Sequence, residues 1–508
     1  MIVFYLSLVF LFCLTWRLVF ILPFPHTGND GYYFRLGRKA FLKNKTIKFD
    51  LSKHYALEYS IQRYPPLFPL FLSIFSDEFL EKFSWVISPI IDSLLCTTIA
   101  ASAYILTQNY NSVIVASLFY VFAFSAHNET SFLTSRQFAA MLFFMSSLFA
   151  VLYITNDNYL FLILSSVVGS LILLSHRFTT QGFFLAFVIM SFFNYWFLII
   201  ILLSIVFALL ISGGFYWKVF LCNLDFVKYW NKNYSGLGAH QIKDSPAYNL
   251  RDNGSNFLFQ KNLKSHLLFE ISYILQNIYI LLIILIVIIS FKSPKIYTYS
   301  GLLTLSVYFI GILSYHLPFL RGIGFGSQYG KLSLSIGLFT VGIYYNENNL
   351  IINLLSYILL GLSIIYAIRI FYKFIKNIEK TKKENILKWD YARMKEMLNF
   401  IQNENIDLIL TVPTNYHDLI TYHTGKKVFW GNHSSPTEVW GVVLPYFKKK
   451  VTKLVEKWNI SHILIDKRFT NEDELQINYE CVFEDEIYKI FKTGKRGMSN
   501  AEKDLRCI

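Results

Sequence analysis

Charge is scarce in this chain. Asp, Glu, Lys and Arg make up 16% of its 508 residues, where soluble domains carry about a quarter. Acid is scarcer than base, with 33 Asp and Glu facing 47 Lys and Arg for a net charge of +14. Cysteine is rarer still. Cys13, Cys96, Cys222, Cys481 and Cys507 are scattered and form no CxxC or Cys/His cluster, which argues against both a zinc site and a disulfide framework. The late glycines Gly322, Gly324 and Gly326 fit no Rossmann or Walker spacing, so they carry no nucleotide inference. No internal repeat, low-complexity linker or nucleic-acid motif is present. The basic excess therefore points to anionic headgroups or a phosphate-bearing lipid, and not to nucleic acid.

Apolar residues fill the space that charge leaves. The chain is 54% hydrophobic and 18% aromatic, and apolar runs of spanning length recur along it. About eleven spans are expected, near 2–23, 84–107, 111–126, 135–155, 158–175, 178–193, 195–214, 268–291, 297–316, 328–345 and 350–372. The first is too long for a signal-peptide core, and no small-residue cleavage site follows it, so it is expected to be retained. Two long connections, 24–83 and 215–267, and the C-terminal tail fall outside the cell if the N-terminus is cytoplasmic. The basic run KFIKNIEKTKKE at the start of the tail opposes that orientation, but long loops and domains obey the charge rule poorly.

After residue 372 the texture changes. Residues 384–404 combine helical spacing with dense surface charge, and IDLILTV (406–412), KKVFW (426–430), HILIDK (462–467) and EIYKIFK (486–492) read as short strands. Helical patterns lie between them, as around 437–457. The expected fold is a polytopic α-helical membrane protein over 1–372 with a small soluble α/β domain over 373–508.

Several residues in the connections could carry chemistry. Asp30, in HTGNDGYYF, precedes Arg35, Arg38 and Lys39. A carboxylate at a membrane face can act as a general base on a hydroxyl or amine; equally, Asn29 or Asp30 could cap a helix that begins at Gly31. LLSHRFTTQGF places His176, Arg177 and Thr179 between two apolar runs. An Arg there either binds a phosphate or snorkels at the interface. HLPFLRGIGFGSQYGKLSL holds Arg321, Gln328, Tyr329 and Lys331 before a late span, and its glycines could expose amides to an anion. Asp92 and Arg17 lie within or near spans, where an ionisable group is functional by default, although an ion pair inside the bundle explains Asp92 as well. His423, Trp430 and His433 lack metal-ligand spacing and read as surface structure, or at most as an acceptor contact.

An apolar span, Asp-Gly-Tyr-Tyr, a basic amphipathic helix and then Tyr-Pro-Pro-Leu-Phe-Pro-Leu together resemble the GT-C membrane glycosyltransferases. The likeness is to the protein O-mannosyltransferase and aminoarabinose-transferase branch, and it covers roughly 1–180. It implies a sugar moved from a polyprenyl-phosphate donor to a glycan, lipid or protein acceptor, with inversion, at the extracytoplasmic face of a multi-pass membrane protein. Under the resemblance Asp30 is the catalytic or acceptor-orienting acid. The family's basic residue before Pro-Pro contacts the donor phosphate; here Tyr64 stands directly before Pro65, with Arg63 one further back. A second acid is usual between the third and fourth spans, and Glu129 is available, though it could equally pair with Arg136 or His127. At the family's usual later acidic position stands Gln137. The late external loop implies a phosphate contact from Arg321, Tyr329 or Lys331, alongside His176 and Arg177. No metal ligand set is evident and no cofactor is expected, although Asp30 leaves room for a divalent ion. The oligosaccharyltransferase branch shares the loop-one acid but carries a Trp-Trp-Asp-Tyr-Gly string, which this sequence lacks.

Two other classes compete. A transporter or flippase would show internal repeats and interrupted helices and would not need a long Asp-bearing first loop. An O-antigen polymerase or ligase would keep its largest external loop late in the chain, whereas here the two long connections are comparable.

Overall fold

The computed structural model describes the chain apart from residues 59–60, 124–129, 234–262, 293–294, 325, 346–348, 390, 432, 434–449 and 495–508. In chain order the described helices are α1 (Ile2–Ile21), α2 (Asn29–Asn44), α3 (Leu67–Leu72), α4 (Asp77–Thr107), α5 (Tyr110–Phe122), α6 (Ser135–Asn156), α7 (Tyr159–Leu173), α8 (Arg177–Ser191), α9 (Trp196–Ile211) and α10 (Tyr216–Asn233). They continue with α11 (Leu263–Gln276), α12 (Ile280–Ser290), α13 (Ile296–His316), α14 (Gly326–Tyr344), α15 (Leu350–Trp389), α16 (Tyr391–Asn403), α17 (His417–Thr424), α18 (Val451–Trp458) and α19 (Glu472–Leu475). The chain divides into two compact units. One comprises Met1–Thr27, Phe75–Trp217 and Asn262–Lys388; the other comprises Gly28–Ile74, Lys218–Lys261 and Trp389–Ile508.

The first unit is helical. Its helices start and stop where local chemistry says they should. Ser76 caps α4 by accepting from the Phe79 amide, with Asp77 and Glu78 in the first turn where the helix dipole favours acid. Gln108 then turns left-handed at φ 53° and Asn109 caps α5. The same device recurs at Asp157 (φ 52°) and Asn158, between α6 and α7. A left-handed residue followed by an Asx cap reverses the chain in two residues, and this is why those connections are so short.

Small residues hold the helices together. Ser146 and Ser165 exchange hydrogen bonds across α6 and α7, each hydroxyl donating to the other's carbonyl at 2.9 and 2.8 Å. A β-carbon on Gly169 would sit 2.3 Å from Ser204 Oγ, so α7 and α9 cross closely there. With lipid outside, there is little hydrophobic drive between helices, and close backbone approach with satisfied hydroxyls supplies the association.

Each of the eleven expected spans contains a helix. By length and hydropathy, however, among the described residues only α1, α4, α6, α13 and the Leu350–Ile378 part of α15 are long enough to cross a membrane. Residues Glu270–Gln276 of α11 and α12 form one further candidate, bent by 81°. The helices α5, α7 and α9 are apolar but shorter. A count of eleven crossings is therefore not reached by this measure.

The second unit is built on a four-stranded sheet of β1 (Ile409–Val412), β2 (His462–Asp466), β3 (Glu480–Glu484) and β4 (Tyr488–Lys492), in the order β1-β2-β4-β3. β1 and β2 run parallel; β4 is antiparallel to both of its neighbours. β1 and β2 are buried along their full length, as strands covered on both faces must be. Residues 426–430 do not form a full strand: Val428 bridges Ile409 on one side and Tyr55 on the other. Backbone bonds from Val428 to His54, Ala56 to Val428 and Leu57 to Phe429 thus add a piece of the first long connection to the sheet. The core gathers Leu57, Leu410, Val412, Phe429, Val455, Ile463 and Phe491, with Phe226, Tyr229 and Trp230 of α10 packed against it.

Candidate functional site

In the helical unit, three helix starts meet at a small open cleft lined by Arg136, Ala140, His176, Phe178, Thr179, Gln328, Tyr329, Lys331 and Leu332. Each polar side chain is placed by a local rule. Thr134 caps α6 and sets Arg136 in its first turn. His176 caps α8: its Nδ1 accepts from the Thr179 amide at 3.3 Å and lies 3.0 Å from the Thr179 hydroxyl. The Tyr329 hydroxyl donates to the Ile323 carbonyl at 2.7 Å, which pins the start of α14. Gly182 on α8 faces Leu332 and Tyr329, where a β-carbon would meet them at 3.0 and 3.3 Å.

Lys331 connects this cleft to a buried charge network. Its Nζ is 3.6 Å from Asp92 Oδ1, and Asp92 Oδ2 accepts from Arg17 Nε at 2.8 Å. The Tyr120 hydroxyl donates to Asp92 Oδ1 at 2.8 Å, and Arg17 also donates to the Val121 and Tyr120 carbonyls at 2.8 and 3.1 Å. Two buried cations thus lie against one buried carboxylate. With Arg136 and the amide end of α8, the cleft combines fixed cations with an oriented dipole, the requirement for holding a phosphate.

In the second unit, Asp30 lies in the first turn of α2, a quarter exposed, and Gly28 at φ 76° holds the N-cap position with no side-chain cap. The helix-cap reading of Asp30 is therefore not realised. Its Oδ1 is 3.5 Å from His433 Nε2. Tyr64, Tyr33 and Phe34 surround the imidazole, with ring centroids at 4.3, 4.8 and 5.6 Å. Tyr64 is buried beside Pro65 and Pro66, and Arg63 is half-buried. Further along, the Tyr55 hydroxyl donates to Asp418 Oδ1 at 2.7 Å, and Arg35 donates to the Tyr422 hydroxyl with its guanidinium 4.3 Å over that ring.

Burial governs the ionisation of this unit. It pushes His417 down to about 3, and His54 down to about 4 with the help of Lys53 and Lys39. Both imidazoles are therefore neutral at pH 7. His417 Nε2 accepts from the Thr411 amide at 2.9 Å, and His54 Nδ1 lies 2.9 Å from the Thr421 hydroxyl. Burial, then Asp418, raises the Tyr55 phenol well above its usual range.

The expected residues thus fall into groups. His176, Tyr329 and Lys331 come together in the helical cleft. Asp30 and Tyr64 come together around His433 in the other unit. Arg177 is buried at the first position of α8 but is not among the cleft's lining residues. Glu129 and the side chain of Arg321 lie outside the described ones. Sequence reading gave Arg136 only as a partner for Glu129, yet it lines the cleft. It also set His433 aside for want of metal-ligand spacing. Among the described residues no group of His, Cys, Asp and Glu could hold a metal ion.

No family model matches the chain, and no curated protein matches it significantly. Solved structures do. ArnT from Cupriavidus metallidurans, bound to undecaprenyl phosphate, superposes over 96% of this chain and 98% of its own, with a TM-score of 0.56 and 12% identity. The oligosaccharyltransferase of Archaeoglobus fulgidus in its apo form superposes over 92% of this chain and 69% of its own, with a TM-score of 0.54 and 12% identity. A likeness at this identity is one of fold. This chain shares the fold of those two structures, and five of its described helices are long and apolar enough to cross a membrane.

Proposed function

We propose that this protein is a membrane glycosyltransferase that moves a sugar from a polyprenyl-phosphate donor to a glycan, lipid or protein acceptor at the extracytoplasmic face, with inversion. The observation that carries the reading is the cleft inside an apolar helical unit where the cations Arg136 and Lys331 meet beside His176. Such a place suits an anion on a greasy tail. The GT-C fold supports the same reading, since the ArnT structure of that fold holds undecaprenyl phosphate.

Arg136 and Lys331 hold the donor phosphate, with His176 and Tyr329 framing it; Arg63, Arg177 and Arg321 are further candidate phosphate contacts. Asp30 takes the proton of the acceptor as its oxygen or nitrogen attacks the anomeric carbon, and the bond to the phosphate oxygen breaks with its electrons on the phosphate. Glu129 is a candidate for orienting the acceptor. The transition state has oxocarbenium character, as in glycoside hydrolysis. Fixed cations that stabilise the departing phosphate supply much of the rate.

The test is binding of undecaprenyl phosphate to the full chain in nanodiscs, followed by turnover of a panel of undecaprenyl-phosphate sugars. Arg136→Ala and Lys331→Ala should each weaken binding by about 10- to 100-fold, the loss of one charge-assisted contact worth about 1.5–3 kcal/mol. Unchanged binding in both variants would remove the cleft from donor recognition.

A further inference from the structure

Asp30 does not stand alone. We propose that His433 is a positioning residue for Asp30, holding the carboxylate through its Nε2 from an aromatic cradle of Tyr33, Phe34 and Tyr64. The inference rests on the glycosyltransferase reading for its catalytic meaning, while the pairing itself can be tested without turnover.

The argument begins with the ring. His433 is largely buried, with a side-chain exposure of 18%. Three aromatic rings pack around it, Phe34 at an interplanar angle of 27°, Tyr64 at 38° and Tyr33 at 68°. Rings on several sides fix the plane of an imidazole, because rotation about either side-chain torsion would drive it into a neighbour. With the plane fixed, Nε2 faces Asp30 Oδ1 at 3.5 Å. Catalytic hydrogen bonds are commonly loose in the empty state and tighten when substrate is bound, and a movement of about half an ångström brings this pair to ordinary hydrogen-bond length.

Among the described residues, the titratable groups against the ring are Asp30 and Tyr33 from α2 and Tyr64 from the segment before α3. In the reaction the acceptor's lone pair forms the bond to the anomeric carbon, the carbon–phosphate oxygen bond breaks toward the phosphate, and the acceptor proton passes to Asp30. His433 takes no net proton in that step. It fixes which way the carboxylate points, and orientation of this kind is worth much of a catalytic group's effect.

The experiment uses the full chain in nanodiscs. Histidine side-chain NMR should show one resonance lost in His433→Phe, and that resonance should change its chemical shift in Asp30→Asn. Turnover of an undecaprenyl-phosphate sugar, read as released undecaprenyl phosphate, should fall by about 10- to 100-fold in His433→Phe, mainly in kcat. His433→Gln keeps an N–H donor and should recover part of the rate, which a merely structural role would not produce. An unmoved resonance in Asp30→Asn, or full turnover in His433→Phe, overturns the inference. Absence of turnover by the wild type with every donor, while the resonance still shifts, overturns the glycosyltransferase reading and leaves the pair standing.

Discussion

Lys331 Nζ lies 3.6 Å from Asp92 Oδ1 while Arg17 Nε bonds the other oxygen of the same carboxylate at 2.8 Å. One acid therefore balances two cations, and all three side chains are buried. Removing the acid takes this carboxylate from both cations. Asp92→Asn should destabilise the helical unit by about 3–5 kcal/mol, the usual penalty for breaking a buried pair. Cys13 and Cys96 are fully buried and report on the opening of this region. Their labelling by a small maleimide should begin at lower temperature in the variant, and labelling at the wild-type temperature would show that Asp92 is dispensable. Replacing Arg17 by Met together with Asp92→Leu should restore part of the loss, since an apolar pair of similar volume needs no partner.

How far such relationships are legible in the sequence depends on what carries them. The helices were legible because long apolar runs between Asx caps leave few alternatives, and an ion pair inside the bundle was one of two readings open for Asp92. Strand β3 was not read. Its sequence ECVFE is exposed at both ends and lacks the alternation that marks a half-buried strand. The addition of His54–Leu57 to the sheet depends on partners more than 300 residues away, and no local pattern encodes that. Lys331 was read at the loop edge of the 328–345 span; α14 begins at Gly326 and carries it inside the unit. His433 went unrecognised for a related reason. Its significance comes from Asp30 and from three rings of a distant segment, and spacing rules search only along the chain.

Acid should loosen the second unit through its histidines. His417 is fully buried and held down to about 3, whereas an unfolded histidine titrates near 6.5. Below that value the unfolded chain binds a proton that the folded one refuses, so stability is lost as pH falls from 6.5 toward 3. At pH 5 the loss from this one group is about 2 kcal/mol. His54, pushed down to about 4, acts in the same direction with a smaller effect because it is only partly buried. Hydrogen exchange of residues 409–424, corrected for the intrinsic rate, should quicken between pH 7 and pH 5. In His417→Gln, which keeps an acceptor for the Thr411 amide, the acceleration should be clearly smaller. Equal acceleration in both proteins would assign the effect to other groups.

The bond from Tyr55 to Asp418 ties the first long connection to α17. Both side chains are buried and the hydroxyl donates at 2.7 Å. In Tyr55→Phe the ring still fills its place, so packing is kept and only the donor is lost. A buried carboxylate deprived of one donor costs about 1–3 kcal/mol. That loss should appear where Tyr55 bridges Val428, as faster exchange of the amides of Ala56, Leu57 and Val428, which bond across this edge. Amides of the central strand β2, paired on both sides, should be much less affected. Asp418→Asn keeps an oxygen that can accept from Tyr55 and should therefore disturb the edge less than Tyr55→Phe does. If the two variants quicken exchange equally, or if β2 loosens as much as the edge, the hydroxyl is not what fastens this connection to the sheet.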